Sequence, residues 1–244
     1  MLNWPLLRYL LASYTRSYKY FAPIAFMIIS VMLLYSYKPS PVLDSYAVTS
    51  TLLFIGFAWL SLNYLNHDRG QQISLLILHT GRARTFFITQ YSVLIMMSLV
   101  VSILSVIYPM ATHMFAEPVG FVRFCLALLA HVFLAWLGST IALFFQSGWM
   151  ENHGRAVGML LVLIVLSIAG LSITDSLPHG FVFIAYLLPP VSLIIDMLMH
   201  ADERRLWISV IALTYSLVYT VVLGIVYIKA ACAKDATEFN RKSG

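Results

Sequence analysis

Charged residues are scarce in this chain of 244 residues: 10% are Asp, Glu, Lys or Arg, whereas 61% are hydrophobic. Soluble globular domains carry about 25% charged residues and about 45–50% apolar residues. With so few polar residues, a soluble fold of this length could not cover its exterior. The shortage of charge therefore excludes a soluble enzyme and a disordered tail, and it predicts a protein that lies in a membrane.

Cysteine is also scarce, since the chain has only Cys125 and Cys232. Two cysteines cannot hold a disulfide scaffold together, and in an apolar chain they are more often inert core residues than a redox pair. Acidic residues number 10 against 15 basic ones, which gives a net charge of +5. The basic residues stand in small groups between apolar stretches, so no basic face suited to nucleic acid is predicted.

Long apolar runs are what the chain has in abundance. A helix needs about 20 apolar residues to cross the hydrocarbon core of a membrane, and its backbone must satisfy its own hydrogen bonds there. Six segments meet this requirement, and none of them contains a charged residue. We therefore predict an all-α integral membrane protein with six transmembrane helices: Tyr20–Tyr37, Tyr46–Asn66, Thr85–Ala111, Phe124–Gln146, Ala156–Thr174 and Leu206–Ile228.

The placement of lysine and arginine predicts the orientation, because cytoplasmic loops carry the excess of these residues. With six spans and both termini in the cytoplasm, 11 of the 15 basic residues fall on the inner side. The net charge is therefore explained by membrane topology, in a multi-pass protein. The two cysteines fall on opposite sides of the membrane and are not expected to pair. The outer basic residues are Lys38, Arg123, Arg204 and Arg205.

The outer loop 176–205 contains a stretch, Pro178–His200, that is long enough to count as a seventh span. Two prolines stand near its middle, and a proline in a helix removes a backbone donor and clashes with the preceding turn. A seventh span would also move the basic C-terminal residues to the outer side. We therefore expect two short re-entrant helices in the outer leaflet instead, namely Phe181–Leu188 and Val191–His200.

Residues 1–19 are predicted to form an amphipathic helix in the cytoplasmic interface, with its basic face toward the headgroups of membrane lipid. Asn3 is suited to cap this helix, and Pro5 is tolerated in its first turn. A cleavable signal peptide is not predicted, because the apolar run follows the basic residues and no small-residue cleavage site comes after it. The alternative is a simple topogenic flank before the first span. One side of the helical wheel collects Leu6, Leu7, Leu10, Leu11, Tyr14 and Tyr18, and the other collects Arg8, Thr15, Arg16 and Lys19.

The segment 67–84, between the second and third predicted spans, is the most informative part of the sequence. It begins with charged residues, continues as a short helical run, breaks at Gly81 and resumes before the third span. Ile73, Leu76 and Ile77 share one face of this run at helical spacing. The run is too apolar for a solvent loop and too short to span, so we expect a cytoplasmic partner to cover it.

The order of these features resembles the permease subunits of ATP-binding cassette (ABC) transporters of the type-2 exporter class. That family has six spans, both termini inside, an N-terminal elbow helix in the interface and two short re-entrant helices before the last span. Its coupling helix follows an acidic residue and a glycine after the second span, and ends at a break before an arginine. Gly81 stands where the family often has proline, and Gln90 where it often has lysine. The similar residues in this chain are Asp68, Gly70, Leu75, Leu76, Thr80, Gly81 and Arg82.

The resemblance implies an elbow helix 1–19, a permease domain 20–230 and a cytoplasmic tail 231–244. It also implies a transport subunit of a bacterial-type plasma membrane rather than an enzyme. This subunit would work with two copies of a separate ATPase that binds ATP and Mg, and with a second permease copy or a sister permease. The chain lacks a Gly-rich phosphate loop, so we expect no cofactor in it.

The resemblance assigns residues to four expected contacts. The coupling segment would meet the ATPase through Asp68, Arg69, Gly70, Ile73, Leu75, Leu76, His79, Arg82 and Arg84, and a second ATPase contact would use Glu151, His153 and Arg155. The elbow is represented by Leu7, Leu10, Leu11, Arg16 and Lys19, and an outer gate by Leu188, Pro189 and Pro190.

Other chemistries have less support in the sequence. Seven histidines are present, but none has the spacing of a metal site; His131, deep in a span, is expected to be neutral and bonded between helices. The spans carry no carboxylate of the kind that ion-driven carriers use. The expected cargo is hydrophobic or amphipathic: a peptide such as an antimicrobial, a lipid-like compound or a drug. The alternatives are a non-catalytic membrane immunity or scaffold protein, and a membrane enzyme acting on lipid through His67, Asp68 and Arg69.

Overall fold

The computed structural model describes residues 3–67, 70–150, 152–176, 178 and 187–243. Within these ranges the chain forms helices and no strand, which confirms the all-α prediction. Asp68, Arg69, Glu151 and most of the predicted helix Phe181–Leu188 lie outside the described residues. In chain order the described helices are α1 Trp4–Arg16, α2 Phe21–Leu34, α3 Val42–Leu65, α4 Gly70–Thr80, α5 Ala83–Ala111, α6 Phe121–Ala142, α7 His153–Ile168, α8 Gly170–Ser176, α9 Val191–Met199 and α10 Leu206–Ser243.

Four of these helices are long and apolar enough to cross a membrane: α3, α5, α6 with its 3-10 continuation to Phe145, and α10 as far as Asp235. They correspond to the second, third, fourth and sixth predicted spans, so a multi-pass membrane protein is confirmed. The last helix does not end at Ile228, as the apolar run suggested. It continues to Ser243, and therefore includes nearly all of the segment predicted as a tail.

The first and fifth predicted spans contain shorter helices; a bend precedes the first, and a second bend lies within the fifth. Helix α2 has 14 residues and α7 has 16, which correspond to about 21 Å and about 24 Å of helix, less than the roughly 30 Å of a hydrocarbon core. Helix α1 meets α2 at 77°, and α7 meets α8 at 66°. The second bend occurs at Gly170, where a Cβ atom would lie 2.7 Å from Ser192 Oγ of α9. By length and composition, the described residues therefore hold four helices able to span, or up to six spans if each bent pair is one span.

Helices α3 and α6 form the centre of the bundle. In their most apolar stretches 72% of the residues are buried, against 33% in α5 and 28% in α10. The two central helices approach closely at Gly138, where a Cβ atom would lie 2.4 Å from the carbonyl oxygen of Phe54. Small residues allow this kind of backbone approach between membrane helices. The apolar faces of α5 and α10 that remain exposed point away from this centre.

A buried histidine links the two central helices. His131 of α6 lies within hydrogen-bonding distance of Thr49 in α3, at 2.8 Å, and of the carbonyl oxygen of Ala127, at 2.7 Å. The ring is fully buried and stands edge-on to Tyr46 at 5.6 Å. Buried polar groups need such partners. The predicted bond of His131 between helices is confirmed.

The short helix α9 follows the Pro189–Pro190 pair. It has nine residues, about 13 Å of helix, and begins at Val191 as predicted. Val191, Ile194 and Leu198 are fully buried, and they belong to the core cluster formed with α3, α6, α7 and α10. A helix is therefore present where the second re-entrant helix was predicted, and it is packed into the bundle along one face.

Candidate docking site at the α4 end of the bundle

Helix α4 lies between α3 and α5 and has two different apolar faces. Ile73, Leu76 and Ile77 are partly buried and pack against the core cluster. Leu75 and Leu78 are 65% and 69% exposed. The spacing predicted that these three residues share one face, and they do. That face packs on the protein's own core, so it is not the surface that a cytoplasmic partner was expected to cover. The opposite face leaves two leucines without cover from the described part of the chain.

The end of α4 is set by Gly81. Its φ is +74°, a conformation that glycine adopts without the steric cost of a side chain, and its N–H donates to the carbonyl oxygen of Ile77 at 2.9 Å. The Thr80 hydroxyl donates to the carbonyl oxygen of Leu76 at 2.7 Å. These bonds satisfy the last carbonyls of the helix. Arg82 then stands just before α5, exposed with its neighbour Arg84.

Helix α1 packs its leucine face on the protein. Asn3 caps it as predicted, because its side chain accepts a hydrogen bond from the Leu6 N–H at 3.1 Å. Most of the predicted apolar side is buried: Leu6, Leu7, Leu10 and Tyr14, with Leu11 partly buried. Tyr18 was wrongly assigned to this side. It lies beyond the helix end with φ +57° and is 73% exposed, because the chain turns there toward α2.

Three polar contacts tie α1 to both flanks of α4. The Asn3 N–H donates to Thr89 Oγ1 of α5 at 3.2 Å. On the α3 side, the Tyr14 hydroxyl donates to the carbonyl oxygen of Leu60 at 3.2 Å, and Ser13 Oγ lies 3.1 Å from His67 Nε2. Burial raises the pKa of Tyr14, so this hydroxyl remains a neutral donor. Helix α1 therefore bridges the two helices between which α4 is held.

A groove of about 200 Å³ separates α4 from the end of α10. The turn 146–149 forms its floor, and the turn is anchored by the Ser147 N–H, which donates to Asn66 Oδ1 at 2.7 Å. Lys234 donates to the carbonyl oxygen of Gly148, and its Nζ lies 5.5 Å from the centre of the Trp149 ring. The walls include Ile73, Ile77, Phe87, Trp149, Lys234 and Asp235.

Only part of the loop that holds the second predicted ATPase contact lies near α4. Residues 146–149 line the groove, whereas His153 and Arg155 are exposed at the start of α7 and do not line it. That start is capped by Asn152, which accepts from the Arg155 N–H at 3.1 Å. Sequence reasoning missed Trp149 and Lys234 as groove residues. The available signal was a tryptophan in a turn that follows an apolar span.

Among the side chains that the structure describes, the exposed charge at this end of the bundle is mainly basic. Arg82, Arg84, Lys229 and Lys234 are exposed around α4 and α10, and His79 is exposed at the end of α4. Asp235 is the acidic residue in the described lining of the groove. The combination of two uncovered leucines and surrounding positive charge suits a partner surface that is apolar with an acidic edge.

The opposite end of the bundle carries the residues of the predicted outer gate. Pro189 and Pro190 are buried and Leu188 is half-buried; with Gly170 and Tyr215 they help to line a cavity of about 70 Å³.

Ion pairs join the loops at this end. Arg123 bridges Glu117 at 3.0 Å and Asp202 at 2.8 Å. Arg204 pairs with Asp196, and this hydrogen bond raises the pKa of Arg204. The loops at this end are therefore linked by charge.

The described residues contain no group of three or more His, Cys, Asp or Glu side chains placed to hold a metal ion. Cys125 and Cys232 are free thiols. No family model, no curated protein and no solved structure matches this chain. Membership of the ABC exporter family is therefore a prediction that rests on the order of features in the sequence.

Proposed function

We propose that this protein is the membrane-spanning subunit of an ATP-driven exporter, and that a separate ATPase docks on α4. The ATPase would bind ATP and Mg, and a second copy of this chain or a sister permease would complete the pathway. The cargo would be hydrophobic or amphipathic, such as a peptide, a lipid-like compound or a drug. In this proposal α1 is the interfacial elbow, both termini are cytoplasmic and the membrane is the plasma membrane.

The exposure of Leu75 and Leu78 is the observation that carries this proposal. Helix α4 has 11 residues, about 16 Å, and is too short to cross a bilayer. Burying one leucine side chain contributes about 1.5–3 kcal/mol, so two uncovered leucines on a short helix at the end of the bundle favour a protein partner.

The attachment of α4 supports a role in transmitting force. Its inner face packs on the core through Ile73, Leu76 and Ile77, and its ends connect to α3 and α5 over a few residues. Helix α1 ties the same two long helices together. A partner that displaced α4 would therefore move the ends of α3 and α5 with it, which is what alternating access driven from outside the chain requires.

Charge supports the choice of partner. Arg82, Arg84 and Lys234 are exposed at the α4 end of the bundle, and complementary charge steers association and fixes its register. The six predicted spans carry no charged residue, which favours energy from a partner over an ion gradient acting on a membrane carboxylate.

The test is copurification of an ATPase with the tagged permease, followed by measurement of ATP turnover. Leu75→Ser with Leu78→Ser removes the apolar contact while leaving the inner face of α4 intact. We expect the ATPase to copurify with the wild type and to be lost from the double variant. Its ATP turnover should respond to the wild-type permease only.

A matched control is Leu206→Ser with Val210→Ser, which changes two exposed apolar residues at the start of α10, at the opposite end of the bundle. This pair should leave copurification unchanged. Equal loss of the ATPase in both double variants would reflect damaged insertion rather than docking. Retention of a responsive ATPase by the α4 variant would contradict the assignment of α4 as the docking element.

A further inference from the structure

The outward face of α1 is aromatic and basic. Trp4 is 56% and Tyr9 is 52% exposed, and Arg8 and Arg16 are exposed on the same arc of the helix. Tyr18 and Lys19, in the turn after α1, are exposed as well. The leucines of the amphipathic pattern are on the opposite side, against the protein. The surface that α1 offers to its surroundings is therefore different from the apolar face expected of an inserting helix.

Aromatic and basic side chains in this combination match the headgroup level of a bilayer. Tryptophan and tyrosine concentrate at membrane–water interfaces because their rings are apolar and carry a polar tip. Arginine presents donors that fit a phosphate in a bidentate way. The 77° angle between α1 and α2 turns α1 away from the direction of α2, so α1 lies along the membrane surface when α2 enters the bilayer.

Within the part of the chain that the structure describes, the positive charge of this face has no acidic partner. The sequence has no acidic residue before Asp44, and no described carboxylate forms an ion pair with Arg8, Arg16 or Lys19. Lys19 is held near the α3 end by its carbonyl oxygen, which accepts from Asn63 Nδ2 at 3.3 Å. The complementary partner is an anion at the depth of Trp4 and Tyr9.

We propose that the outward face of α1, with the turn that follows it, binds the headgroups of anionic phospholipids. Arg8, Arg16 and Lys19 hold the phosphates, while Trp4 and Tyr9 fix the depth at which they do so. Because α1 is bonded to both α3 and α5, the bound lipid holds the α4 end of the bundle at the membrane surface. This proposal is independent of the ATPase, since the binding is a property of the purified chain.

The test measures lipid binding by the full chain in detergent micelles. Purified protein is titrated with phosphatidylglycerol or with phosphatidylcholine of the same acyl chains, and bound lipid is counted by native mass spectrometry. We expect phosphatidylglycerol to bind the wild type at least tenfold more tightly. The triple variant Arg8→Gln, Arg16→Gln and Lys19→Gln should lose on the order of a hundredfold, since each basic side chain near an anionic surface contributes roughly fivefold.

The matched control is Lys38→Gln with Arg205→Gln, which removes exposed basic residues elsewhere on the surface and should leave phosphatidylglycerol binding unchanged. A second measurement needs no variant. Raising NaCl from 50 to 500 mM should weaken phosphatidylglycerol binding by the wild type and leave phosphatidylcholine binding as it was.

Equal affinity for the two lipids, or equal binding by the triple and control variants, would overturn the proposal. Full competition by inorganic phosphate at constant ionic strength would also overturn it, because the ligand would then be free phosphate.

Discussion

Replacing Gly138 by alanine tests whether α3 and α6 form the closely packed centre of the bundle. The added Cβ atom would lie 2.4 Å from the carbonyl oxygen of Phe54 and 3.2 Å from the backbone nitrogen of Ala58. Ordinary contact begins at 3.4 Å, so the two helices would have to separate by about 1 Å. The obstacle is the α3 backbone, which no rotamer change can move aside.

The magnitude follows from two opposing effects. Overpacking a tight site costs about 1–3 kcal/mol, and the upper end applies here because no side chain can yield. Alanine gains about 1 kcal/mol over glycine in helix propensity, which leaves a net loss of about 2 kcal/mol. At about 2–4 °C per kcal/mol for a chain of this size, we expect the melting temperature to fall by about 4–8 °C.

The assay heats purified protein in detergent and measures the remaining folded fraction by size-exclusion chromatography. Gly158→Ala is the matched control, because a Cβ atom at this exposed position of α7 meets no atom within 4 Å. The control should melt at the wild-type temperature or slightly above it, from the propensity gain alone. A Gly138→Ala variant that melts with the control would refute the close α3–α6 contact.

Two further substitutions test other contacts by the same thermal assay. Gly224→Ala in α10 would place a Cβ atom 2.9 Å from Oη and Cε1 of Tyr91. The displaced ring would lose its 2.7 Å hydrogen bonds with Trp136 and Thr140. We therefore expect the melting temperature to fall by about 2–6 °C. An unchanged melting temperature would show that the ring has room to shift. Arg123→Gln removes two ion pairs in which both carboxylates are exposed and the guanidinium is partly exposed. The loss should therefore stay below about 1 kcal/mol and shrink further in 0.5 M salt; a larger, salt-independent loss would contradict this.

The sequence predicts the four long spans correctly because a helix that crosses a lipid bilayer needs a long apolar run. It does not state which spans are central, although the ranking of the spans by mean hydropathy is informative. Helix α3, which is buried, has a mean hydropathy of 1.5, whereas the outer helix α5 has 2.3. Lipid requires apolarity only of the surface that faces it, so a central helix is free to carry Thr49, Ser50 and Ser61.

Amino-acid composition does not predict the bends, because a broken helix can be as apolar as a straight one. The break at Gly170 depends on how closely α9 approaches through Ser192, and this contact joins residues that no local pattern connects. The same limit applies to the groove beside α4. Helical spacing predicts that Ile73 and Ile77 share one face, but it does not predict that this face packs on the protein's own core. Trp149 and Lys234 reach the groove only through the packing of three distant segments.

The leucine pattern of α1 is also ambiguous, and here the ambiguity bears directly on the proposed function. An apolar stripe is satisfied equally by lipid and by a protein core, so Leu7 and Leu10 alone could not tell insertion from docking. Because Leu7 and Leu10 are buried, the apolar stripe packs on the protein. Trp4 and Arg8 lie on the opposite side of the helix. If an ATPase pushes α4 as proposed, the load passes through α3 and α5 to α1, whose outward face is held by lipid headgroups in the second proposal. The two proposals would then describe one lever, moved at α4 and supported at the membrane surface by α1.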